Sequence, residues 1–539
     1  MKTMFLIIIF LVLASEKMYS QVIQEWAQRF TSDSIRDESV NDMFVDVAGN
    51  VYVTGSQRSR SFPNHAEIEA VTVKYNSNGV QQWVQNYRSP TNTGAFGRAI
   101  HVDNGGNVYI TGESNIYSGG SNKALVAKYS ADGTQLWSYL FSYSSAYNGG
   151  FDIITEATGN VYVTGEYSTN VITLNNIFLI KFGPSGNLIN QTFYHSRSEG
   201  ARRIGLDGAG KIIIGGYING DSLSFIALKY EQNLDFVWAS VWGNNVGNQN
   251  VIDMSVDINS NVIISGTGNF TIDYAVVKFN AAGGIAWGRN YSSAEGWDIC
   301  RGVATDNSGN VFVTGQTGSN GLPLSNKYCT IKYNADGTQQ WVTNYNGGSS
   351  ADGYIAYDIA LDDSANVYIV GNKYSTSDIS TVKLNSSGQF KWEKVYNGPS
   401  NSADIGVTVC ADNSGNAYTT GNSLGNSTGY DIAIIKYAPS SIGIQNISTE
   451  APNGYSLSQN YPNPFNPVTS IEFAIMKSSY TSLIIYDNLG KEVSDLISKS
   501  LNPGSYRFDF NASGLASGVY YYKLQTSEFT ETRKMILSK

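Results

Sequence analysis

One heptapeptide governs what this chain can become. Gly49-Asn-Val-Tyr-Val-Thr-Gly55 returns in variant form seven more times, closing at Gly112, Gly165, Gly216, Gly266, Gly315, Gly371 and Gly421. Successive copies stand 49 to 57 residues apart. A period of that length marks a repeated supersecondary unit, which cannot bury its apolar face alone and must stack on its neighbours.

Each unit reads as four strands. The first ends at an acid: Asp46, Asp103, Glu156, Asp207, Asp257, Asp306, Asp362 and Asp412. A turn such as Asp306-Asn-Ser-Gly-Asn310 follows, with Gly supplying the positive φ of a tight hairpin. The second strand alternates, Val51 and Val53 on one face, Tyr52 and Thr54 on the other. The third ends in Lys and usually an aromatic, as in Lys332-Tyr333, and a second hairpin leads to the fourth. There Trp recurs with an aromatic four residues on: Trp83/Tyr87, Trp137/Phe141, Trp238/Trp242, Trp287/Tyr291, Trp341/Tyr345 and Trp392/Tyr396. The third unit breaks this pattern with Asn190. Each Trp reads as packing between units, burying ~150–250 Å².

Four short antiparallel strands per unit are the signature of a β-propeller blade. The eighth unit stops after Lys436-Tyr437, while an unmatched Trp strand, Trp26-Ala-Gln-Arg-Phe30, stands near the N-terminus. The prediction is an all-β, eight-bladed β-propeller in which that strand completes the last blade and leaves no open edge. A seven-bladed ring with one unit outside it is the alternative. The units resemble the SBBP-type β-propeller repeats of secreted bacterial proteins through the Asp-x-x-Gly-Asn-Val-Tyr-Val-Thr-Gly core and the Lys-Tyr-Asn-x-x-Gly-x-x-x-Trp tail. That resemblance implies a fold and names no activity.

Both ends read as addresses. Lys2 precedes an apolar run over 4–13, too short to span a bilayer, with small residues at Ala14, Ser15 and Ser20; this predicts a signal peptide over 1–20, cut after Ser20. No second apolar run approaches ~20 residues, so no transmembrane segment is expected in the mature chain. After the propeller (21–437), a Pro-rich stretch reads as a linker (438–454), followed by alternating strands over 455–539 that predict a small Ig-like β-sandwich. This tail resembles the type A C-terminal sorting domain of the type IX secretion system. Four blocks carry the resemblance: Gln459-Asn-Tyr-Pro-Asn-Pro-Phe-Asn466, Ile485-Tyr-Asp-Asn-Leu-Gly-Lys-Glu-Val493, Leu515-Ala-Ser-Gly-Val-Tyr520 and Lys534-Met-Ile-Leu-Ser-Lys539. It implies the type IX secretion machinery as partner and a secreted or outer-cell-surface destination.

Catalytic motifs are sparse. Gly421-Asn-Ser423-Leu-Gly425 fits a nucleophile elbow, but that fold places its His downstream, and His65, His101 and His195 all lie upstream. Cys300, Cys329 and Cys410 lack metal-ligand spacing. The Asp-x-Ser-Gly-Asn turns loosely resemble calcium loops but lack the closing bidentate Glu; turn capping accounts for them and no cofactor is expected, with calcium at these turns as the alternative. With 35 Lys and Arg against 44 Asp and Glu, a net charge of −9, nucleic acid is not an expected partner. Three classes of function follow: a non-enzymatic recognition or adhesion protein, the leading reading; a secreted polysaccharide-active hydrolase or lyase; a structural surface-layer component. For the first, a glycan or protein ligand is expected on the face of the second-to-third and blade-to-blade loops, which vary in length between units, as at 56–70 and 267–272. Aromatic and acidic residues at the starts of first strands are the candidate contacts: Phe96, Tyr147, Trp297, Asp298, Asp352 and Tyr354.

Overall fold

The computed structural model describes residues 22–32, 37–58, 68–90, 94–114, 122–143, 147–170, 173–219, 223–243, 250–268, 273–319, 322–349, 351–439, 444–448, 450–512 and 515–538. The signal peptide expected over 1–20 lies outside these residues, as do most of loops 56–70 and 267–272. No α-helix occurs among the described residues, and no helix is long and apolar enough to cross a membrane. The chain divides into two compact units, Gln24–Tyr437 and Ala438–Lys539 together with Met1–Ile23.

The larger unit contains eight four-stranded antiparallel sheets. Seven are local hairpin meanders, spanning 38–87, 95–141, 147–194, 198–242, 250–291, 297–345 and 354–396. The eighth joins Asp404–Ala411, Ala417–Leu424 and Tyr430–Pro439 to the N-terminal strand Val22–Phe30. The first strand of each sheet lies against the first strand of the next, and that of the eighth against that of the first, so the contacts run in a closed circle.

The closure reuses bonding that recurs between other pairs of sheets. Trp26, on the N-terminal strand, donates its indole N–H to the Ser77 carbonyl in the first sheet (3.1 Å), and Lys436 Nζ donates to the same oxygen (3.4 Å). Trp83 and Lys74 converge likewise on Ala131 O, at 3.1 Å each, and Trp287 and Lys278 on Ala335 O, at 3.0 and 3.4 Å. The turns that receive Trp26, Trp83, Trp137, Trp238, Trp287 and Trp341 each carry a Gly with positive φ. At Gly133 (φ +91°) a Cβ would stand 2.7 Å from the Trp83 ring. The third sheet confirms the rule by exception. Asn190 replaces Trp and donates to Asn233 O (2.7 Å), and the facing turn has Leu234 at φ +73° instead of Gly. Without the indole there is room for a side chain, which is buried there.

The repeated acids cap their own turns. Asp46 Oδ1 accepts the N–H groups of Ala48 and Asn50, and Oδ2 accepts Asn50 Nδ2 (2.7 Å) and the Tyr52 hydroxyl (3.1 Å). Asp103, Asp362 and Asp412 repeat this arrangement with Tyr109, Tyr368 and Tyr418. These turn carboxylates are therefore filled by the protein's own donors. The repeated Lys responds to the residue lying between it and the acid. Where that residue is Ile213 or Ile263, Lys229 reaches Asp207 (2.7 Å) and Lys278 reaches Asp257 (2.8 Å). Where it is aromatic, the ammonium lies over the ring, as Lys74 over Tyr52 (5.1 Å) and Lys332 over Phe312 (4.8 Å), and among the described residues only Lys181 and Lys383 also approach their acids, at 3.8 Å each. A double-mutant cycle at Asp257 and Lys278, both buried, is expected to give a coupling of ~2 kcal/mol or more, since removing either partner strands a buried charge. The cycle at Asp306 and Lys332, which no ion pair joins among the described residues, is expected near zero.

The smaller unit holds two four-stranded sheets. One runs Ile444–Ser448, Gly504–Asn511, Val468–Ile475, Ser456–Leu457; the other Glu492–Leu501, Ser479–Tyr486, Gly518–Gln525, Thr530–Leu537. They share a core in which Phe473, Tyr506 and Phe508 of one meet Leu483, Ile485, Tyr522 and Met535 of the other. Ile444–Ser448 falls within the stretch read as a linker, yet it pairs with Gly504–Asn511, so this sandwich takes in residues before 455. In the Gln459–Asn466 block, Asn460 is buried and donates to Thr469 Oγ1 (2.9 Å), while Phe465 pairs with the C-terminal strand. Tyr461 stands 80% exposed.

Candidate functional site

The first strand of every sheet in the larger unit carries one β-bulge at one place: the residue five positions before the turn acid is left out of the ladder. These eight residues are Asn41, Arg98, Phe151, Arg202, Ile252, Arg301, Tyr357 and Val407. A bulge re-aims the side chain it frees. Because the eight first strands form the closed circle, the bulges place a ring of variable positions on an invariant scaffold.

Around the first four sheets this ring opens into a cavity of about 490 Å³, lined by Asn41, Phe96, Arg98, Phe151, Arg202 and Arg203. Arg98 lies 4.3 Å from the Phe151 ring centroid and 5.1 Å from that of Phe96; Arg202 lies 5.1 Å from Phe151 and 4.8 Å from Tyr217. Two glutamates fix these guanidiniums. Arg98 Nη2 donates to Glu113 Oε1 (2.6 Å) and Arg202 Nη1 to Glu166 Oε1 (2.6 Å). The Tyr147 hydroxyl donates to the same Glu113 oxygen (2.6 Å). Arg203 donates through Nε to Asp253 Oδ1 (2.8 Å).

The residue after the bulge alternates around the circle. It is Asp42, Asp152, Asp253 and Asp358 in the odd sheets and Ala99, Arg203, Gly302 and Thr408 in the even ones. Each Asp accepts a backbone N–H from the next sheet: Ile100 (2.9 Å), Ile204 (2.9 Å), Val303 (3.1 Å) and Val409 (2.9 Å). The carboxylates thus staple the sheets in pairs. Burial pushes Asp42 up to about 7 and also raises Asp152 and Asp358. A carboxyl whose folded pKa lies above its unfolded value binds more protons folded than unfolded between those values, so stability falls as pH rises through that window. Melting temperature is therefore expected to drop from pH 5 to pH 7.5, and Asp42→Asn to flatten part of that drop; equal slopes in calorimetric scans of both proteins would contradict this.

The six residues singled out in the sequence do not form one site. Phe96 lines the cavity, and Tyr147 reaches it through Glu113. Trp297 and Asp298 belong to the sixth sheet, Tyr354 to the seventh, and Asp352 to the loop before it. Asp298 is fully buried and caps a loop, accepting Ser293 N (2.6 Å) and Oγ (2.8 Å). Asp352 pairs with Lys373 (3.1 Å) and accepts the Ser375 hydroxyl (3.0 Å). Tyr354 has no exposed surface and packs edge-on against Tyr328 and Tyr345, 5.3 Å from each; it is core and offers no face to a ligand. Tyr354→Ala is expected to cost ~3–5 kcal/mol, whereas Trp297→Ala, at a site 37% exposed, is expected to leave the melting temperature nearly unchanged. Thermal denaturation of the two variants checks both.

Sequence reading missed Arg98, Phe151, Arg202 and Arg203. A signal existed: only the second and third repeats place Glu directly after the closing Gly of the heptapeptide, at Glu113 and Glu166. Ser423, of the elbow-like motif, is buried, and its hydroxyl meets Arg29 of the N-terminal strand, a structural role. Among the described residues no group of three or more His, Cys, Asp or Glu stands together to hold a metal ion.

Comparison with known proteins adds the following. Residues 459–538 match the family described as secretion system C-terminal sorting domain, and residues 292–323 match the beta-propeller repeat of SBBP type. The type IX sorting domain indicates secretion to the cell surface, and the chain carries a β-propeller ahead of it. An uncharacterized WD repeat-containing protein of Acanthamoeba polyphaga mimivirus is 25% identical over 414 residues, 62% of this chain; the chain spans only 28% of that relative. Chaetomium thermophilum Sqt1 superposes with a TM-score of 0.49 at 9% identity, covering 75% of this chain and 98% of its own. PorZ, a surface component of the type IX secretion system of Porphyromonas gingivalis, gives 0.36 at 13% identity over 92% of this chain and 74% of its own. The polysaccharide lyase Uly1 gives 0.44 at 10% identity over 77% and 99%. Likenesses this remote carry no argument about activity.

Proposed function

We propose that this chain is an exported surface-recognition protein without enzymatic activity. In this reading an eight-bladed β-propeller (21–437), closed by its N-terminal strand, follows a cleaved signal peptide (1–20), and an Ig-like sorting domain (455–539) delivers it through the type IX machinery. The eight sheets in circular contact support the blade count, and the two sheets on one core support the sandwich. One observation carries the recognition reading: of the eight bulges at one register, those of the first four sheets set the variable residues Asn41, Arg98, Phe151 and Arg202 around a single cavity. Variable groups on a rigid scaffold are how binding sites are built. The neighbouring carboxylates are engaged by backbone N–H groups, which favours a structural role for them over general acid–base work. The ligand is a glycan or a protein. An array of both, probed with the exported protein, is expected to give saturable binding. Turnover of a polysaccharide by the same preparation would establish instead the hydrolase or lyase reading, and silence on the array with no turnover would leave the structural surface-layer role.

A further inference from the structure

Three of the thirteen arginines in this acidic chain line the one cavity just described. Arg98 and Arg202 are one-third exposed (32% and 30%), and each is held at two points, by a glutamate and by the ring of Phe151. Among the described residues Arg98 donates Nη2 to Glu113, and Arg202 donates Nη1 to Glu166 and Ala201 O and also meets the Tyr217 hydroxyl. A guanidinium has five N–H donors, so both retain donors in a fixed orientation. Such preorganisation lowers the ordering cost of binding, and the planar fork matches a carboxylate. Phe96 and Phe151 add apolar faces beside these donors. The volume, about 490 Å³, is that of a small-ligand site. The charges are matched rather than in surplus: Glu113, Glu166 and Asp253 each oppose one arginine. A site for a bare polyanion would carry excess positive charge; this one combines directed donors, acceptors and rings.

We infer that the cavity binds an acidic saccharide, a uronic-acid oligosaccharide whose carboxylate meets Arg98 and Arg202 while a sugar face lies on Phe96 and Phe151. The inference rests on the recognition reading and adds the ligand's chemistry. Sugar hydroxyls both donate and accept, which suits the alternation of guanidinium with carboxylate here. Burial shifts Asp42 and Asp152 toward neutrality, so they repel an anion less than two ionised carboxylates would.

The test uses the intact exported protein and four probes: oligogalacturonate, its methyl ester, polyglutamate and inorganic sulfate. Titration calorimetry is expected to show oligogalacturonate binding at least tenfold more tightly than the other three. Arg98→Gln and Arg202→Gln should each weaken it tenfold or more, while Arg88→Gln, whose partner Glu69 lies outside the cavity, should leave it unchanged. Melting curves confirm that the variants fold. Should Arg98→Gln not fold, Phe96→Leu provides the same test through the sugar face, again with a tenfold loss expected. Equal binding of acid and ester, stronger binding of polyglutamate or sulfate, unchanged affinity in the cavity variants, or no binding of oligogalacturonate would each overturn the proposal. Failure of recognition itself has a separate signature: no glycan or protein on the array is bound at all.

Discussion

Deleting Val22–Phe30 is expected to abolish cooperative folding of the larger unit. The strand supplies Trp26 and Phe30, both buried in the cluster that joins the eighth sheet to the first. Emptying a buried aromatic site costs ~3–5 kcal/mol. The strand also supplies Arg29, which meets Asp431 and donates to Ser423 O (3.0 Å), and Glu25, which pairs with Lys436 (2.9 Å). Asp431 is buried, and a buried charge stripped of its partner costs a further ~3–5 kcal/mol. These losses together approach the ~5–15 kcal/mol that holds an ordinary domain. They also expose Tyr430–Pro439 as an apolar edge strand, open to pairing with another copy. Near-ultraviolet circular dichroism and a thermal melt check the result. No cooperative transition and concentration-dependent aggregation are expected; a soluble variant melting within a few degrees of the intact protein would show that the N-terminal strand does not close the unit.

Deleting 438–539 is expected to have an equally large effect of another kind. The larger compact unit spans Gln24–Tyr437, so the remaining chain should fold, while the segment matching the sorting domain is gone. The protein should then accumulate in the periplasm, with almost none reaching the outer surface. Fractionation with surface protease digestion reads this directly. A finer variant separates signal from scaffold. Tyr461→Ala alters an exposed residue of the Gln459–Asn466 block and should leave stability unchanged, whereas Phe465→Ala removes a buried one and should lower the stability of the sandwich by ~3–5 kcal/mol. Undiminished surface display of the truncated chain would place the export signal elsewhere.

The repeat made the scaffold legible. Alternation in Val51–Val53, the turn acids and the positive-φ glycines are local signals that the folded sheets obey, and the unmatched Trp26 strand pointed to the eighth sheet. Even the irregular third repeat was visible as Asn190, although its counterpart Leu234 was not, because that pairing exists only across two sheets. The cavity was harder to read. Its residues lie at a bulge, and a bulge shifts the two-residue alternation by which a strand's faces are assigned. Arg98 and Phe151 therefore looked like ordinary strand positions. Attention went instead to aromatics at strand starts, of which Phe96 and Tyr147 lie at the cavity and Tyr354 lies in the core.

The central claim is that the bulge-lined cavity is the seat of recognition. Filling it tests this most directly. Asn41 is exposed at the cavity wall and donates Nδ2 to the Gly97 carbonyl of the next sheet (2.6 Å), so Asn41→Trp should occupy the space at the cost of that one hydrogen bond. Binding of the intact protein and of this variant to whichever array ligand the intact protein retains should be measured side by side. The account predicts a cooperative melt, lowered only by the loss of one hydrogen bond worth about 1 kcal/mol, and at least a tenfold loss of affinity in the variant. Equal affinity in the two proteins would contradict it and place recognition on another surface of the chain.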